Sequence, residues 1–291
     1  MTSTLSLANL QGAANNQAGN SNNTNPIIDR RRFVGPETST PFPDFPTSSS
    51  TSTHSTTNTG RADGRIHSDS RPICIKVGVI SQANGSCYIE SGNSKVICAV
   101  YGPKPRSSLS NSSSLSPLVI SLRFAPFCMA GGRMAPTALG GVETTVSQLT
   151  QQALMPSLLP MSDSSIVEVH INVLEWDSPL SPGPCVLASS IALASAGIPT
   201  VGLVIPSTLA LSKELYLDPT ATEAESASAI FDLASIPAMG TVTHVGFRST
   251  TDWKSAPIGN DTFDRCLDLC KSNAELIHGL AAAALKDHLS T

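Results

Sequence analysis

The folded part of this chain is marked by alternation of apolar and polar residues, which has the two-residue period of β-strands. Residues 72–80, 87–90 and 95–103 are β-branched runs joined by Gly- and Asn-containing turns, so they predict an antiparallel meander. Further strands are predicted over residues 118–124, 166–176, 201–205, 214–217, 229–233 and 241–247.

Three stretches have apolar residues at helical spacing instead. They predict helices over residues 143–154 and 185–196, and a third that begins at Asn260 or Asp261 and ends near residue 289. One apolar stripe follows the third helix and comprises Phe263, Cys266, Cys270, Ala274, Ile277 and Ala281. Helices interspersed with strands predict an α+β domain over residues 61–291, a mixed sheet with helices packed on it.

Residues 1–60 differ in composition, because Ser, Thr, Asn and Pro dominate them and aliphatic residues are few. Such a segment buries too little apolar surface to offset the entropy cost of ordering it, so we predict a disordered low-complexity tail. Two segments within the tail, Arg30–Phe33 and Pro41–Pro46, are either extended docking segments for a partner or parts of a solvated chain.

Charge and cysteine content limit the functional classes. The net charge of −4 argues against a protein that binds nucleic acid by itself over a large surface, since such binding requires clustered Lys and Arg. The seven cysteines are odd in number, several lie in apolar runs, and no secretory signal precedes them. We therefore expect reduced, buried thiols in an intracellular protein. The sequence shows no apolar run of membrane-spanning length.

Four motifs, in order, resemble the RNase PH superfamily. The segment Arg61–Arg65 reads R-A-D-G-R and is followed by Arg71-Pro72, and residues 85–98 resemble the family's G-S-x-x-x-x-x-G-x-T-K-V hairpin. Residues 174–199 resemble its strand–loop–helix unit that ends A-G-I-P, and Leu217–Thr220 reads L-D-P-T, as in the family. The resemblance covers nearly all of residues 61–291. It implies an RNase PH-like α+β fold of the ribosomal protein S5 domain 2-like class.

The resemblance also indicates what this chain has lost. Phosphorolysis needs a cradle of arginines and backbone amides for inorganic phosphate, because phosphate is the nucleophile. Where the family has a Gly-Gly-Thr-Arg loop, this chain has Ser178–Pro184, with three prolines and no arginine. The family's second phosphate-binding arginine precedes a long helix, and the matching stretch Leu139–Glu143 contains no basic residue.

The carboxylates of the family's site are only partly kept. Asp218 matches the first of them, whereas Ala224 stands at the second position, flanked by Glu223 and Glu225. We expect no catalytic residue and regard three acids as vestiges of the site, namely Asp218, Asp177 and Glu225. For Asp177 the alternative is a cap on a turn or on the following helix.

A chain of this family without its site resembles the non-catalytic subunits of eukaryotic exosome rings, and residues 78–86 and 99–103 look most like the messenger-RNA-transport (Mtr) type. The resemblance implies a structural subunit of a hetero-hexameric ring. Such a ring supports 3′–5′ processing and degradation of RNA, including ribosomal RNA, in the nucleus, nucleolus and cytoplasm. The implied partners are other RNase PH-like subunits, an S1-domain cap subunit and RNA in the channel. No cofactor, metal or membrane is implied.

Two cations are candidates for contacting that RNA. Lys104 and Arg106 lie in a Ser-rich loop after a strand end, and in the family this loop faces the pore. They are expected to neutralise phosphates of threading RNA, with a solvated loop as the alternative.

Other charged and thiol groups have competing interpretations. Arg61, Asp63 and Arg65 are expected to hold the linker by salt bridges or to line a subunit contact. Cys266 and Cys270 have the spacing of half a metal site, but no nearby Cys or His completes it, so a buried stripe is favoured.

Two other functions are alternatives to a structural subunit. One is an active phosphate-dependent 3′–5′ exoribonuclease, against which the prolines of residues 178–184 argue. The other is an unrelated small-molecule enzyme on the same fold, which would need a convergent pocket of polar residues. The sequence indicates no such pocket, and His170 and His244 are interpreted as structural.

Overall fold

Two β-sheets with helices packed against them form the described part of the chain. The coordinates are a computed structural model, which describes residues 61, 63–105, 116–129, 136–161, 165–177, 181–212, 214–249 and 259–290. The predicted tail over residues 1–60 and the candidate Arg106 lie outside the described residues.

The first sheet has the strand order β1-β2-β3-β5-β4. Its strands are β1 (Ile73–Val77), β2 (Gly85–Ser91), β3 (Ser94–Pro105), β4 (Leu118–Phe124) and β5 (Ser165–Glu175). The predicted meander of β1, β2 and β3 is confirmed, and β4 pairs with β5 in parallel. Alternate residues such as Ile89, Val96 and Val169 are fully buried on one face, as a period of two requires.

The second sheet is antiparallel, in the order β7-β6-β8-β9. Its strands are β6 (Ile205–Leu211), β7 (Leu215–Leu217), β8 (Ala229–Ile236) and β9 (Thr241–Ser249). The strand predicted over residues 201–205 is wrong, because β6 begins at Ile205 and continues through Pro206. The backbone of Pro206 faces the β7 side of β6, and β7 pairs only with Leu209–Leu211. The missing N–H of Pro206 therefore removes no hydrogen bond between strands.

Four helices are present among the described residues: α1 (Pro136–Leu154), α2 (Gly183–Ser195), α3 (Ala221–Ser226) and α4 (Asn260–Ser290). The predicted start of α1 at Glu143 is wrong by seven residues, because the helix continues through Gly140 and Gly141, which are poor helix formers. A capping box between Thr220 and Glu223 begins the short α3. Within the described ranges, no helix has the length and apolarity that crossing a membrane requires.

Helix α2 lies against both sheets and is buried along nearly its whole length. It approaches β2 so closely that a Cβ added at Gly85 would lie 2.4 Å from the Ala192 carbonyl oxygen. Glycine at this position therefore sets the distance between the helix and the strand.

The predicted stripe of α4 is confirmed at the five positions from Cys266 to Ala281, all of which are buried. Phe263 departs from the prediction, since it is 40% exposed; its ring packs edge-to-face with that of Phe231, with ring centres 5.6 Å apart. Burial of Cys266 and Cys270 agrees with their interpretation as core residues. Among the described residues, no three His, Cys, Asp or Glu side chains are grouped so as to hold a metal ion.

All seven cysteines are free thiols, and six of them are buried. The expectation of burial is wrong for Cys74, which is exposed because it lies on the outward face of β1. For the others, burial disfavours the thiolate and raises the thiol pKa, in Cys98 to about 12.

Candidate functional site

Arg71 lies at the centre of the predicted site, just before β1, and only 9% of it is exposed. Its Nε donates to Oδ2 of Asp218 at 2.9 Å, and its Nη2 donates to Oδ1 of the same carboxylate at 2.7 Å. Its Nη1 donates to Asp177, which follows β5. The structure thus brings two of the three vestigial carboxylates together around one guanidinium.

This arrangement fixes the protonation state of Asp218. Burial would raise the pKa of the Asp218 carboxyl, but the hydrogen bonds and charge of Arg71, with a smaller contribution from Arg65, lower it below its ordinary value. Asp218 is therefore ionised at neutral pH and has no proton to donate to a leaving group.

A second arginine holds the turn that carries Asp218. The backbone of Asp218 has φ of 48°, a left-handed conformation that costs a non-glycine residue free energy. Arg61, which is buried, donates to the carbonyl oxygens of Leu217 at 2.9 Å and of Asp218 at 3.1 Å. Its Nε and Nη2 also donate to the two carboxylate oxygens of Glu223, at 2.9 and 2.8 Å. The strained turn is therefore held by a bidentate ion pair next to it.

Arg65 completes this arrangement by pairing with Asp63 and donating to the Asp218 carbonyl oxygen at 3.2 Å. The salt-bridge role expected for Arg61, Asp63 and Arg65 is therefore confirmed.

The other two vestigial acids behave differently from each other. The Asp177 carboxylate pairs with Arg71, and its amide donates to Ser94 Oγ at 3.2 Å. The prediction that Asp177 caps the following helix is wrong, because the N-cap of α2 is Pro182. The turn that Asp177 was alternatively predicted to cap begins outside the described residues. Glu225 is exposed on α3 and is not among the partners of Arg71 or Asp218. Glu225 therefore does not supply the missing second carboxylate, and its neighbour Glu223 is taken by Arg61.

The amino end of α2 offers few donors to an anion. Pro182 and Pro184 have no N–H, and the Gly183 amide is directed at Ser181 Oγ, 3.5 Å away. Helix ends bind anions through free amides, so this end of α2 has lost most of that capacity.

A buried carboxylate lies beside this helix end. Asp232 is 6% exposed, and its Oδ1 accepts hydrogen bonds from Ser181 at 2.9 Å and from Thr208 at 2.8 Å. Its Oδ2 pairs with Arg248 of β9. A carboxylate paired with Arg248 thus lies where the family's loop would hold phosphate.

A cavity of about 60 Å³ opens between these groups and has room for roughly four water molecules. Its apolar wall includes Ile89, Leu187 and Ile277, and its polar wall contains Arg71 and Asp218. Hydroxyl and amide groups supply the rest of the polar wall, from Ser70, Ser91, Ser181, Ser207, Thr208 and Asn273. The expectation that no polar pocket would be found is therefore wrong, although the pocket is small.

Of the two candidate channel cations, the structure describes Lys104. Its predicted position in a loop is wrong, because β3 continues to Pro105 and includes it. Its Nζ lies 2.8 Å from a carboxylate oxygen of Glu168 and 5.1 Å from the centre of the Tyr101 ring. Its side chain is about half exposed. Glu168 balances the charge of Lys104, a pairing across strands that the sequence did not indicate.

The stretch that lacks the family's second phosphate-binding arginine lies within α1. There Glu143 is buried and accepts hydrogen bonds from the Phe124 amide at 2.9 Å and from Arg123 at 3.0 Å. This acid joins α1 to β4.

Sequence reasoning missed Asp232 and Arg248 altogether. Asp232 is the one charge within β8, a strand buried along its whole length. A lone acid in such an apolar run was the available signal, because an unpaired buried carboxylate is costly and implies a partner nearby.

Comparison with known proteins tests the resemblance. The 3′ exoribonuclease family, domain 1 (RNase PH) matches residues 69–199. The exosome complex component Rrp41 of Pyrococcus horikoshii is 34% identical over 189 residues, which are 64% of this chain and 75% of that protein. This chain belongs to the RNase PH family.

A further RNase PH relative is the exosome complex component MTR3 of Mus musculus, 31% identical over 231 residues, or 74% of this chain and 81% of that protein. The crystal structure of rice (Oryza sativa) Rrp46 matches with a TM-score of 0.60 at 20% identity, over 77% of this chain and all of that one. At that identity the match supports the fold. The predicted family and the α+β RNase PH-like fold are both confirmed.

Proposed function

We propose that this chain is a non-catalytic structural subunit of an exosome core ring, where it supports 3′–5′ processing and degradation of RNA and helps line the RNA channel. Its RNase PH relatives are exosome components, which supports the assembly part of the proposal. The observation that carries the non-catalytic part is the buried Asp232, held by Ser181 at the amino end of α2.

Charge explains why this observation matters. Inorganic phosphate at neutral pH is an anion, and it attacks RNA only where cations and N–H donors hold it. Asp232 occupies that place as one half of an ion pair with Arg248, and Pro182 and Pro184 remove donors. The guanidiniums of Arg71 and Arg248 already bind Asp218 and Asp232. An incoming phosphate would have to displace these ion pairs.

Proton transfer and metal binding are disfavoured on similar grounds. Both oxygens of Asp218 accept hydrogen bonds from Arg71, and the lowered pKa of Asp218 leaves it without a proton. Glu225 does not face it. A general acid needs a proton near neutral pH, and a metal ion at Asp218 would have to compete with the guanidinium of Arg71.

We infer contacts with other RNase PH-like subunits in a hetero-hexamer, with an S1-domain cap subunit, and with RNA through the assembled channel at Lys104 and Arg106. The proposed sites of action are the nucleus, nucleolus and cytoplasm, with ribosomal RNA among the substrates of the whole complex.

Activity and assembly are tested separately. The purified full chain is incubated with end-labelled RNA and inorganic phosphate, beside a known phosphorolytic ribonuclease as positive control. We expect no release of nucleoside diphosphates. Phosphate-dependent release that disappears in Asp218→Asn would establish the exoribonuclease alternative instead. Affinity purification with native mass spectrometry should recover the chain together with other RNase PH-type chains, and recovery as a monomer or homo-hexamer would reject ring membership.

A further inference from the structure

The chain itself closes the edge of the first sheet at β4. Side chains of α1 bind the outward backbone groups of this strand. Glu143 accepts from the Phe124 amide at 2.9 Å, Ser147 Oγ donates to the Ile120 carbonyl at 2.9 Å, and Gln151 Nε2 donates to the Leu118 carbonyl at 2.7 Å. No row of free backbone groups is left there for another strand.

The edge of the second sheet at β7 is closed in a different way. The Leu217 amide donates to the His67 carbonyl at 2.9 Å, and Arg61 donates to the Leu217 carbonyl at 2.9 Å. β7 is also only three residues long, and short edge strands discourage pairing. At the remaining edge of the first sheet, β1 has five residues and exposes Lys76, a charge with the same effect.

Among the described residues, no side chain is hydrogen-bonded to the outward backbone groups of Val245 and Phe247 in β9, although α1 lies near this strand. β9 is nine residues long, and in the described part of the chain no strand pairs with its outer side. Val242, Val245 and Phe247 are 41%, 45% and 48% exposed, and Met239 in the preceding turn is 59% exposed. A long apolar edge of this kind invites pairing, and native proteins use or cover it.

The strand register shows which backbone groups of β9 are free. The Asp218 amide donates to the Thr208 carbonyl, so Thr208 faces β7 and its neighbour Leu209 faces β8. Backbone hydrogen bonding alternates along antiparallel strands. Leu209 pairs with Phe231 of β8, so the backbone groups of the next residue, Asp232, face β9. Asp232 pairs with Gly246, whose backbone groups therefore face β8. The N–H and C=O groups of its neighbours Val245 and Phe247 point away from the sheet.

We propose that the β9 edge pairs with an extended strand of a neighbouring RNase PH-type subunit, so that the second sheet continues across the subunit boundary. The outward backbone groups can form hydrogen bonds with another strand, and the exposed side chains of Val245 and Phe247 can pack against apolar side chains on that strand. RNA does not fit this edge, because Arg248, the one cation of β9, is bound to Asp232. This inference rests on the proposed ring membership.

Hydrogen exchange measures this pairing directly. The full chain is compared alone and after reconstitution with the RNase PH-type chains of the same genome. We expect amide exchange over residues 241–247 to slow at least about tenfold on assembly. Peptides from β4 and β7 should change little, since their edges are already closed.

A backbone variant gives an independent measurement. Val245→Pro removes an outward N–H without removing a bond to β8, so it should lower the association constant at least about tenfold. Val245→Thr keeps the amide and the strand propensity and should associate within about threefold of the wild type. Melting temperatures of the isolated variants show whether each one is folded.

The outcomes separate the two proposals. A reconstituted ring in which residues 241–247 exchange as fast as in the free chain overturns the β9 inference and leaves ring membership standing. Protection of this strand by self-association of the chain alone overturns the assignment of the partner. Failure of the wild-type chain to join any RNase PH-type chain overturns both.

Discussion

Arg71 donates three hydrogen bonds to Asp218, from its backbone amide and Nε to Oδ2 and from Nη2 to Oδ1. A fourth goes from Nη1 to Asp177. The pair joins the segment before β1 to the turn after β7, 147 residues later in sequence. The carboxylate that resembles a catalytic one is thus part of an ion pair that connects two distant segments of the chain.

The substitution Arg71→Met should lower the free energy of unfolding by about 3–5 kcal/mol, because it leaves Asp177 without its cation and Asp218 with the more distant Arg65. Urea denaturation measures the loss. Lys95→Met, which breaks an exposed pair with Glu175, is the matched control and should leave the midpoint nearly unchanged. Equal midpoints for the two variants would show that Arg71 is not a structural counter-ion.

Stability should fall in acid. Burial opposes ionisation of Asp218 and Glu223, but arginine hydrogen bonds and charges lower the pKa of both below their ordinary values of 3.8 and 4.5. Such groups stabilise the fold above their unfolded pKa, and this contribution is lost as pH falls through the folded pKa. Urea midpoints should therefore be steady from neutral pH to about pH 5 and then decline. A midpoint independent of pH between 5 and about 3 would contradict this.

Gly85→Ala should destabilise the protein by about 1–3 kcal/mol, because the new methyl group would meet backbone atoms of α2. Gly279→Ala in α4 is the control, since a Cβ there meets nothing within 4 Å. It should stabilise the helix by about 0.5–1 kcal/mol. Thermal denaturation would show the two shifts, and a stable Gly85→Ala protein would mean that α2 can move away from β2.

One thiol per chain should react quickly with a chromogenic disulfide reagent, and the other six should react only on unfolding. Cys74 is exposed, whereas burial raises the pKa of the remaining thiols and excludes the reagent. Cys74→Ser should abolish the fast phase. Persistence of a fast phase in that variant would place a second cysteine at the surface.

Lys104→Glu combined with Arg106→Glu should weaken RNA threading through an assembled ring and leave assembly intact. The slope of the logarithm of RNA affinity against the logarithm of salt concentration should become shallower by an amount equivalent to about one to two phosphate contacts. Glu168→Gln makes the opposite change, because it removes the carboxylate that balances Lys104, and should strengthen protection. If the wild type, the double variant and Glu168→Gln protect RNA equally, Lys104 and Arg106 do not contact it.

Local periodicity predicted most of the fold. The meander and the α4 stripe follow from repeats of two and of about three and a half residues, and both are present. Errors occurred where a residue's usual preference was overridden by its surroundings. Gly140 and Gly141 lie inside α1, and Pro206 lies inside β6 where no ladder bond is needed.

The candidate site was predicted less completely, because its parts are joined by pairings across the fold. The motifs located Asp218 and the loop that lacks arginine, but no local pattern connects Arg71 to Asp177 or Ser181 to Asp232. The exposed position of Glu225 likewise depends on which face α3 turns to solvent.

The protected edges of the two sheets limit how far strand pairing can spread. Side chains of α1 bind the outward groups of β4 and the Arg61 segment binds those of β7, so the described part of the chain offers a neighbour on β9 no equivalent free edge at these two strands. A sheet that continues through backbone hydrogen bonds would then join two molecules and would not extend to a third. The same contacts prevent growth into a fibre by strand pairing. The other interfaces of a closed ring must then be formed by side chains, which can differ from one interface to the next.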